Sequence, residues 1–361
     1  VVYASESPDM LDAQYQGKAE GFTYSREGHP NAQVLAGLID QMEGAEDGLI
    51  LSSGMAAVSA TCLAFLSAGD HVIGGDQLYG RSLRLMTEEL PRQGIETSLV
   101  DPTDAQAVAN ALRSETRMIL IEVVSNPTLR VADVTAIAAL AKMQGILLVI
   151  DNTFTTPRGF QAFEAGADIV IHSVTKMLAG HSDAMLGYVA ARTADHRQRL
   201  YDVAVTYGFA PSPFDCWLAE RGLYSFALRY DQAKRNAAAL AEALSESAAV
   251  KRVLYPTRPD HPDHNRALTL LGDRGGHMVS FEIEGDRPVT NALVQKLSSL
   301  SFAPTLGDIN TTLSHPASSS HRGLSEARRA ELGISEGFFR ISVGIEPIET
   351  LIATFQAALG N

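Results

Sequence analysis

Cysteine is nearly absent from the 361 residues: Cys62 and Cys216 are the only two, too few for a disulfide framework and without the paired spacing of a metal site. No metal is expected, and a reducing cytoplasm is the expected location. Basic residues are also short, with 29 Lys and Arg against 42 Asp and Glu, which leaves a formal net charge of −13. A chain of that charge with no basic arm is not built to bind nucleic acid or an anionic membrane surface. No apolar run approaches the roughly 18 residues that a membrane-crossing helix needs, and nothing reads as a signal peptide. Internal repeats, low-complexity linkers and coiled-coil heptads are missing as well. The opening Val1-Val2-Tyr3 is abrupt, as if an earlier segment preceded it.

What is there is an ordinary globular composition, 45% hydrophobic and 20% charged, at a length that suggests two or three domains. Residues 1–30 are polar and irregular and predict an extended arm without a packed element. Apolar positions at helical spacing predict a helix over 31–42. Short apolar runs over 48–51, 71–73, 97–100, 118–122, 146–150, 167–171 and 187–191 then alternate with helical stretches at 83–90, 105–112 and 134–143. Near-continuous apolar strands alternating with helices predict an α/β unit over 31–230, a mostly parallel sheet covered on both faces. From 231 to 361 the pattern changes. A helix over 233–247, strands near 250–255, 277–283 (alternating, hence half-exposed) and 340–343, and a closing helix over 348–359 predict a smaller α+β domain.

Ligands of parallel sheets sit beyond the carboxyl ends of the strands, and the chemistry-bearing residues collect there. An apolar strand stops at Lys176, flanked by Ser173 and Thr175. A lysine is expensive to bury unless its charge is paired or removed, and Schiff-base formation with an aldehyde cofactor removes the ordinary ammonium. Asp151 closes the most apolar strand, 25 residues earlier in the sequence, either to meet a cation such as a pyridinium N–H or to cap the next turn. Ser53-Gly54-Met55 lies between a strand and a helix, where glycine permits close approach and helix amides face an anion. Tyr79 follows another strand and can stack on a ring or pack on its own loop. Together these features point to pyridoxal phosphate.

The ordered motifs Tyr24-Ser-Arg26, Ser52-Ser-Gly-Met-Ala-Ala57, Leu78-Tyr-Gly80, Ser125-Asn-Pro127, Asp151-Asn-Thr-Phe154, His172-Ser-Val-Thr-Lys176, Gly180-His-Ser-Asp183, Ser212-Pro-Phe-Asp215, His315-Pro-Ala-Ser318 and Arg340-Ile-Ser-Val-Gly344 run through nearly the whole chain. In them the sequence resembles the Cys/Met-metabolism (trans-sulfuration) family of PLP-dependent enzymes, the cystathionine and methionine γ-lyases among them. The resemblance implies the aminotransferase-like fold of type I, a seven-stranded sheet, and a homotetramer made of two dimers with shared active sites. It implies that Lys176 carries the cofactor and afterwards shuttles protons, and that Asp151 holds the ring nitrogen. Tyr79 would stack on the ring and protonate the leaving group. Ser53, Gly54, Met55, Ser173 and Thr175 would bind the phosphate, joined by Tyr24 and Arg26 from a neighbouring subunit's arm. Arg340 would clamp the substrate α-carboxylate with Asn126 and with Thr305, where the family usually has serine.

Three departures bear on the substrate. Arg81 follows Tyr79-Gly80 where the family usually shows Gly or Cys. Glu27, Gly28 and His29 replace the usual residues after the arm's Arg26. Asn310-Thr-Thr312 replaces the Glu-Ser-Leu of cystathionine enzymes. Glu27, Arg81 and Asn310 are therefore expected to select the substrate. The expected activity is γ-elimination from a small amino acid of homoserine type with a polar or cationic leaving group, such as canavanine. Alternatives are a methionine or cystathionine γ-lyase, a γ-replacing synthase or sulfhydrylase using O-acylhomoserine, and a non-catalytic protein that keeps the PLP fold.

Overall fold

The computed structural model describes residues 1–360. Its larger sheet contains β1 (Leu49–Leu51), β2 (His71–Gly75), β3 (Glu96–Val100), β4 (Thr116–Glu122), β5 (Leu147–Asp151), β6 (Ile169–Ser173) and β7 (Gly187–Ala191), in the order β1-β7-β6-β5-β4-β2-β3. β7 runs antiparallel to β1 and β6, and the pairs from β6 through to β3 are parallel. β4 to β6 read as continuous apolar runs because both faces are covered. On one face Ile119, Ile121, Ile150 and Val170 pack with Leu35 and Ile39 of α2 (Pro30–Glu43) and with Ile137 of the helix Val134–Gln144. On the other, Leu120, Val149 and Ile171 pack with α3 (Gly54–Phe65) and the helix Ala194–Tyr207.

The smaller sheet, in the order β10-β11-β12-β9-β8, holds β8 (Val250–Leu254), β9 (Met278–Ile283), β10 (Ser301–Phe302), β11 (Thr312–Ser314) and β12 (Phe338–Ser342). Val279, Phe281, Phe339 and Ile341 pack beneath the helices Phe226–Ser245 and Ile348–Leu359. The alternation in β9 predicts one wet face, yet all six of its residues are buried. Its polar face is covered too: the Ser280 hydroxyl donates to the Pro127 carbonyl at 2.7 Å, and Glu282 pairs with Arg252 at 2.6 Å.

Other expectations shift. The arm is not wholly extended, since α1 (Pro8–Tyr15) forms with Ser7 as its N-cap. The helix expected over 83–90 is three segments, α4 (Gly80–Arg84), a π-turn Leu85–Glu89 and Leu90–Arg92, where Pro91 has no amide for the helical ladder. The helix expected from 233 begins at Phe226, so it crosses the position expected to separate the two domains. Among the described residues no helix is long and apolar enough to cross a membrane.

Candidate active site

Candidate residues collect at the carboxyl ends of β1, β2, β4, β5 and β6, where β12 of the smaller sheet adds Arg340. Lys176 lies three residues beyond β6, and its Nζ donates to the Thr305 hydroxyl at 3.4 Å. Burial, and then the nearby charge of Arg340, lower its pKa, so the neutral amine that attacks an aldehyde is more accessible than in a solvated lysine. Arg340 comes from β12 and is 5% exposed. Its Nη1 donates to Asn126 Oδ1 at 2.7 Å and its Nη2 to the Thr305 carbonyl at 2.8 Å, while its Nε has no partner. Burial pushes this guanidinium down to about 10, against the opposing pull of Glu122 and Tyr79. A buried guanidinium held by two neutral oxygens, one N–H free, is prepared for an incoming carboxylate.

Beside the end of β6, Ser53 caps α3: its Oγ accepts from the Ala56 amide at 3.0 Å and its carbonyl from the Ala57 amide at 3.1 Å. Those two bonds leave the amides of Gly54 and Met55 as the outward donors of the first turn. Gly54 is required by proximity, since a Cβ there would lie 2.7 Å from the Ser173 Cβ. The approach brings the α3 terminus against the end of β6, beside Ser173. Thr175 is in the same segment, but its hydroxyl already accepts from the Leu186 amide at 3.0 Å and donates to the Leu186 carbonyl at 3.2 Å, which ties the lysine segment to the start of β7.

Asp151 closes β5, where burial raises its pKa; the Thr153 bonds oppose the shift, one being the Thr153 amide donating to Oδ1 at 3.0 Å. Tyr79, just before α4, is 45% exposed. Its amide donates to Glu122 Oε1 at 2.7 Å. The structure thus brings together Lys176, Asp151, Tyr79, Asn126, Thr305, Arg340, Ser53, Gly54, Met55, Ser173 and Thr175. Tyr24, Arg26 and Glu27 stand elsewhere: Arg26 donates to the Val205 carbonyl at 3.2 Å, and the Tyr201 hydroxyl donates to the Glu27 carbonyl at 2.9 Å, both on the helix Ala194–Tyr207. Arg81 is exposed on α4. Asn310 donates its backbone amide to Asp308 Oδ1 at 2.8 Å, Asp308 also takes the Ser182 hydroxyl, and Ile309 is tied to the Gly180 carbonyl at 2.8 Å.

Two groups escape the sequence reading. Glu122 closes an apolar strand as Asp151 does, a signal that was open to the same argument. Glu43, His172 and Asn152 form a buried cluster behind the site in which Asn152 Nδ2 donates to Glu43 Oε1 at 2.8 Å, and the same oxygen meets His172 Nε2. Nothing local in α2 marks Glu43 for that role.

This geometry, a lysine after one parallel strand and a carboxylate ending the next, opposite a helix terminus suited to a phosphate, defines a fold-type-I pyridoxal-phosphate enzyme. The chain belongs to the family described as "Cys/Met metabolism PLP-dependent enzyme", whose match covers residues 2–360. It is 39% identical to the cystathionine gamma-lyase of Bacillus subtilis (strain 168) over 345 residues, 96% of this chain and 90% of the relative. It is 40% identical to the cystathionine beta-lyase MetC of the same organism over 338 residues, 94% of this chain and 86% of the relative. A Campylobacter jejuni structure provisionally named O-acetylhomoserine (thiol)-lyase superposes with a TM-score of 0.95 at 27% identity, covering 100% of this chain and 93% of its own, and carries N'-pyridoxyl-lysine-5'-monophosphate. The protein is a PLP-dependent lyase-family enzyme of Cys/Met metabolism.

Proposed function

We propose that the protein is a γ-lyase acting on a γ-substituted homoserine-type amino acid whose leaving group is polar or cationic, with canavanine as the representative substrate. Pyridoxal phosphate, when bound, supplies the electron sink that makes the bonds at the substrate's Cα and the adjoining carbons labile. In this reading Lys176 holds the cofactor and then moves protons between the substrate carbons, for which its burial leaves it a usable base. Asp151 would hold the ring nitrogen, and Tyr79 would stack on the ring and hand a proton to the departing group. Gly54 and Met55 amides with Ser53 and Ser173 would grip the phosphate, and Thr175 would join them once its hydroxyl turns from the Leu186 carbonyl. Arg340, Asn126 and Thr305 would orient the α-carboxylate, and Arg340, buried with a free Nε and sharing Thr305 with Lys176, is the observation that carries the reading.

The preference for a polar leaving group is supported by the knot of Ser182, Asp308 and Asn310, fastened to Gly180 four residues beyond the lysine. Arg81 and, from a neighbour, Glu27 complete that mouth. Tyr24 and Arg26 reach a neighbouring subunit's phosphate in a homotetramer, a reading supported by the exposed apolar side chains of Phe214, Trp217, Tyr224 and Leu228. The same proposal divides the chain into an arm (1–30), a cofactor domain (31–230) and a smaller domain (231–361), and places the enzyme in the cytoplasm, where its free, buried Cys62 and Cys216 stay reduced.

Methionine, cystathionine, O-acetylhomoserine and canavanine, each given to the holoenzyme and assayed for 2-oxo acid, ammonia and homoserine, separate the candidates. The proposal expects canavanine to have the highest kcat/KM. Preference for methionine or cystathionine would assign the activity of the named relatives instead, and a thioether formed from O-acetylhomoserine with sulfide or cysteine would make the enzyme a synthase. No turnover of any of the four by cofactor-loaded protein would favour the non-catalytic reading.

A further inference from the structure

Glu122 and Asp151 are paired residues on adjacent parallel strands, β4 and β5, so their side chains leave the same face of the sheet side by side. Glu122 is only 8% exposed. Two carboxylates side by side, Glu122 buried and Asp151 partly buried, do not both ionise cheaply. The hydrogen bonds decide which one keeps the charge. Asp151 accepts the Thr153 amide and lies nearer His172. Glu122 accepts one bond, from the Tyr79 amide, and its Oε2 is buried without a partner. Arg340 is the one cation acting on Glu122, and its hydrogen bonds go to Asn126 and Thr305. Asp76, beyond β2 on the other side, is turned to Arg328 at 4.0 Å. A carboxyl proton on Oε2 leaves Oε1 free to accept and removes the second buried charge.

We propose that Glu122 is a positioning residue that acts uncharged, fixing the backbone of Tyr79 over the cofactor and leaving Asp151 as the single negative charge beneath the ring. Burial first, and Asp151 second, hold the Glu122 carboxyl well above the ordinary carboxylate range, in agreement with this. The tyrosine has no other local anchor on its amide, and no side chain caps α4 there. On the opposite side, a Cβ on Gly80 would lie 2.5 Å from the Ser320 carbonyl oxygen, so the turn is held between Glu122 and the Ser320 backbone. The inference rests on the roles given above to Asp151 and Tyr79.

The test compares wild type, Glu122→Gln and Glu122→Ala by two readouts other than turnover: the dissociation constant for pyridoxal phosphate, and the visible absorbance of the bound cofactor followed from pH 6 to 9. Glutamine supplies the same acceptor without a charge, so it is expected to stay within about twofold in affinity and to leave the absorbance midpoint unmoved. Alanine strands the Tyr79 amide and is expected to weaken cofactor binding roughly 10-fold. A midpoint displaced by about one unit or more in the glutamine variant would show that Glu122 is ionised and would overturn the proposal. Alanine binding as tightly as wild type would overturn the bracing role. If alanine does not fold, the glutamine titration alone decides on the charge. Failure of the underlying site reading shows separately, because wild type would then lack any borohydride-sensitive cofactor absorbance.

Discussion

At the scale of the residue, the site is a set of costly burials that become sensible once they face one another. Arg340 is the clearest case. Its two terminal nitrogens go to Asn126 and Thr305 at 2.7 and 2.8 Å, and both oxygens are neutral. Lysine at this position would keep the charge but could neither hold both oxygens nor grip a carboxylate with two parallel bonds. Arg340→Lys is expected to lower kcat/KM roughly 100-fold, mostly through KM, as lost charge-assisted hydrogen bonding to the substrate does. Steady-state kinetics check it; an unchanged KM would remove Arg340 from substrate binding. Asp151 and Lys176 stand out in the sequence because an apolar strand ends at or just before each of them with a group that is expensive to bury, whereas Tyr79 follows its strand in a turn and Arg340 was marked only by the family resemblance. Glu122 was equally marked, but its meaning depends on the register of β4 against β5 and on a turn more than forty residues away. Strand pairing of that kind is not written in local pattern.

At the scale of the element, α3 is the part with the narrowest tolerance. Its first turn is pressed between the end of β6, where a Gly54 Cβ would crowd Ser173, and the start of β7, where a Gly187 Cβ would lie 2.1 Å from the Ser53 carbonyl. Gly54→Ala is therefore expected to displace the helix terminus from Ser173 and weaken cofactor affinity about tenfold or more, since the terminal amides act over the first turn only. The fold should survive, because α3 keeps its buried Ala57, Ala60 and Cys62. Equilibrium dialysis with pyridoxal phosphate, alongside circular dichroism, measures both. β4 to β6 could be read in advance because coverage on both faces makes them plain apolar runs. β9 was misread for a related reason: Ser280 and Glu282 alternate as solvent-facing residues would, but their partners Pro127 and Arg252 lie in distant segments that local periodicity does not register. The π-turn before Leu90 has no comparable signature beyond Pro91.

At the scale of the whole molecule, burial of histidine couples the fold to pH. Burial depresses His277 to about 3 and His261 and His321 to about 4, against an ordinary value of 6.5. Below about 6.5 the unfolded chain takes up protons at these imidazoles that the folded chain refuses, so stability present above that pH is lost as the pH falls towards 4. Each histidine contributes a slope of about 1.4 kcal/mol per pH unit in that window. Urea unfolding at pH 7 and pH 5 should show the loss, and His277→Gln should reduce it by about 2 kcal/mol; an undiminished loss would mean that His277 is protonated in the native state. The chemistry assigned to the site depends on one amine being the cofactor's anchor. Reduction of the holoenzyme with borohydride, followed by proteolysis and mass spectrometry, locates that amine directly. The pyridoxyl phosphate adduct is predicted on the peptide containing Lys176; an adduct on another lysine, or none on cofactor-loaded protein, would contradict the assignment of the site.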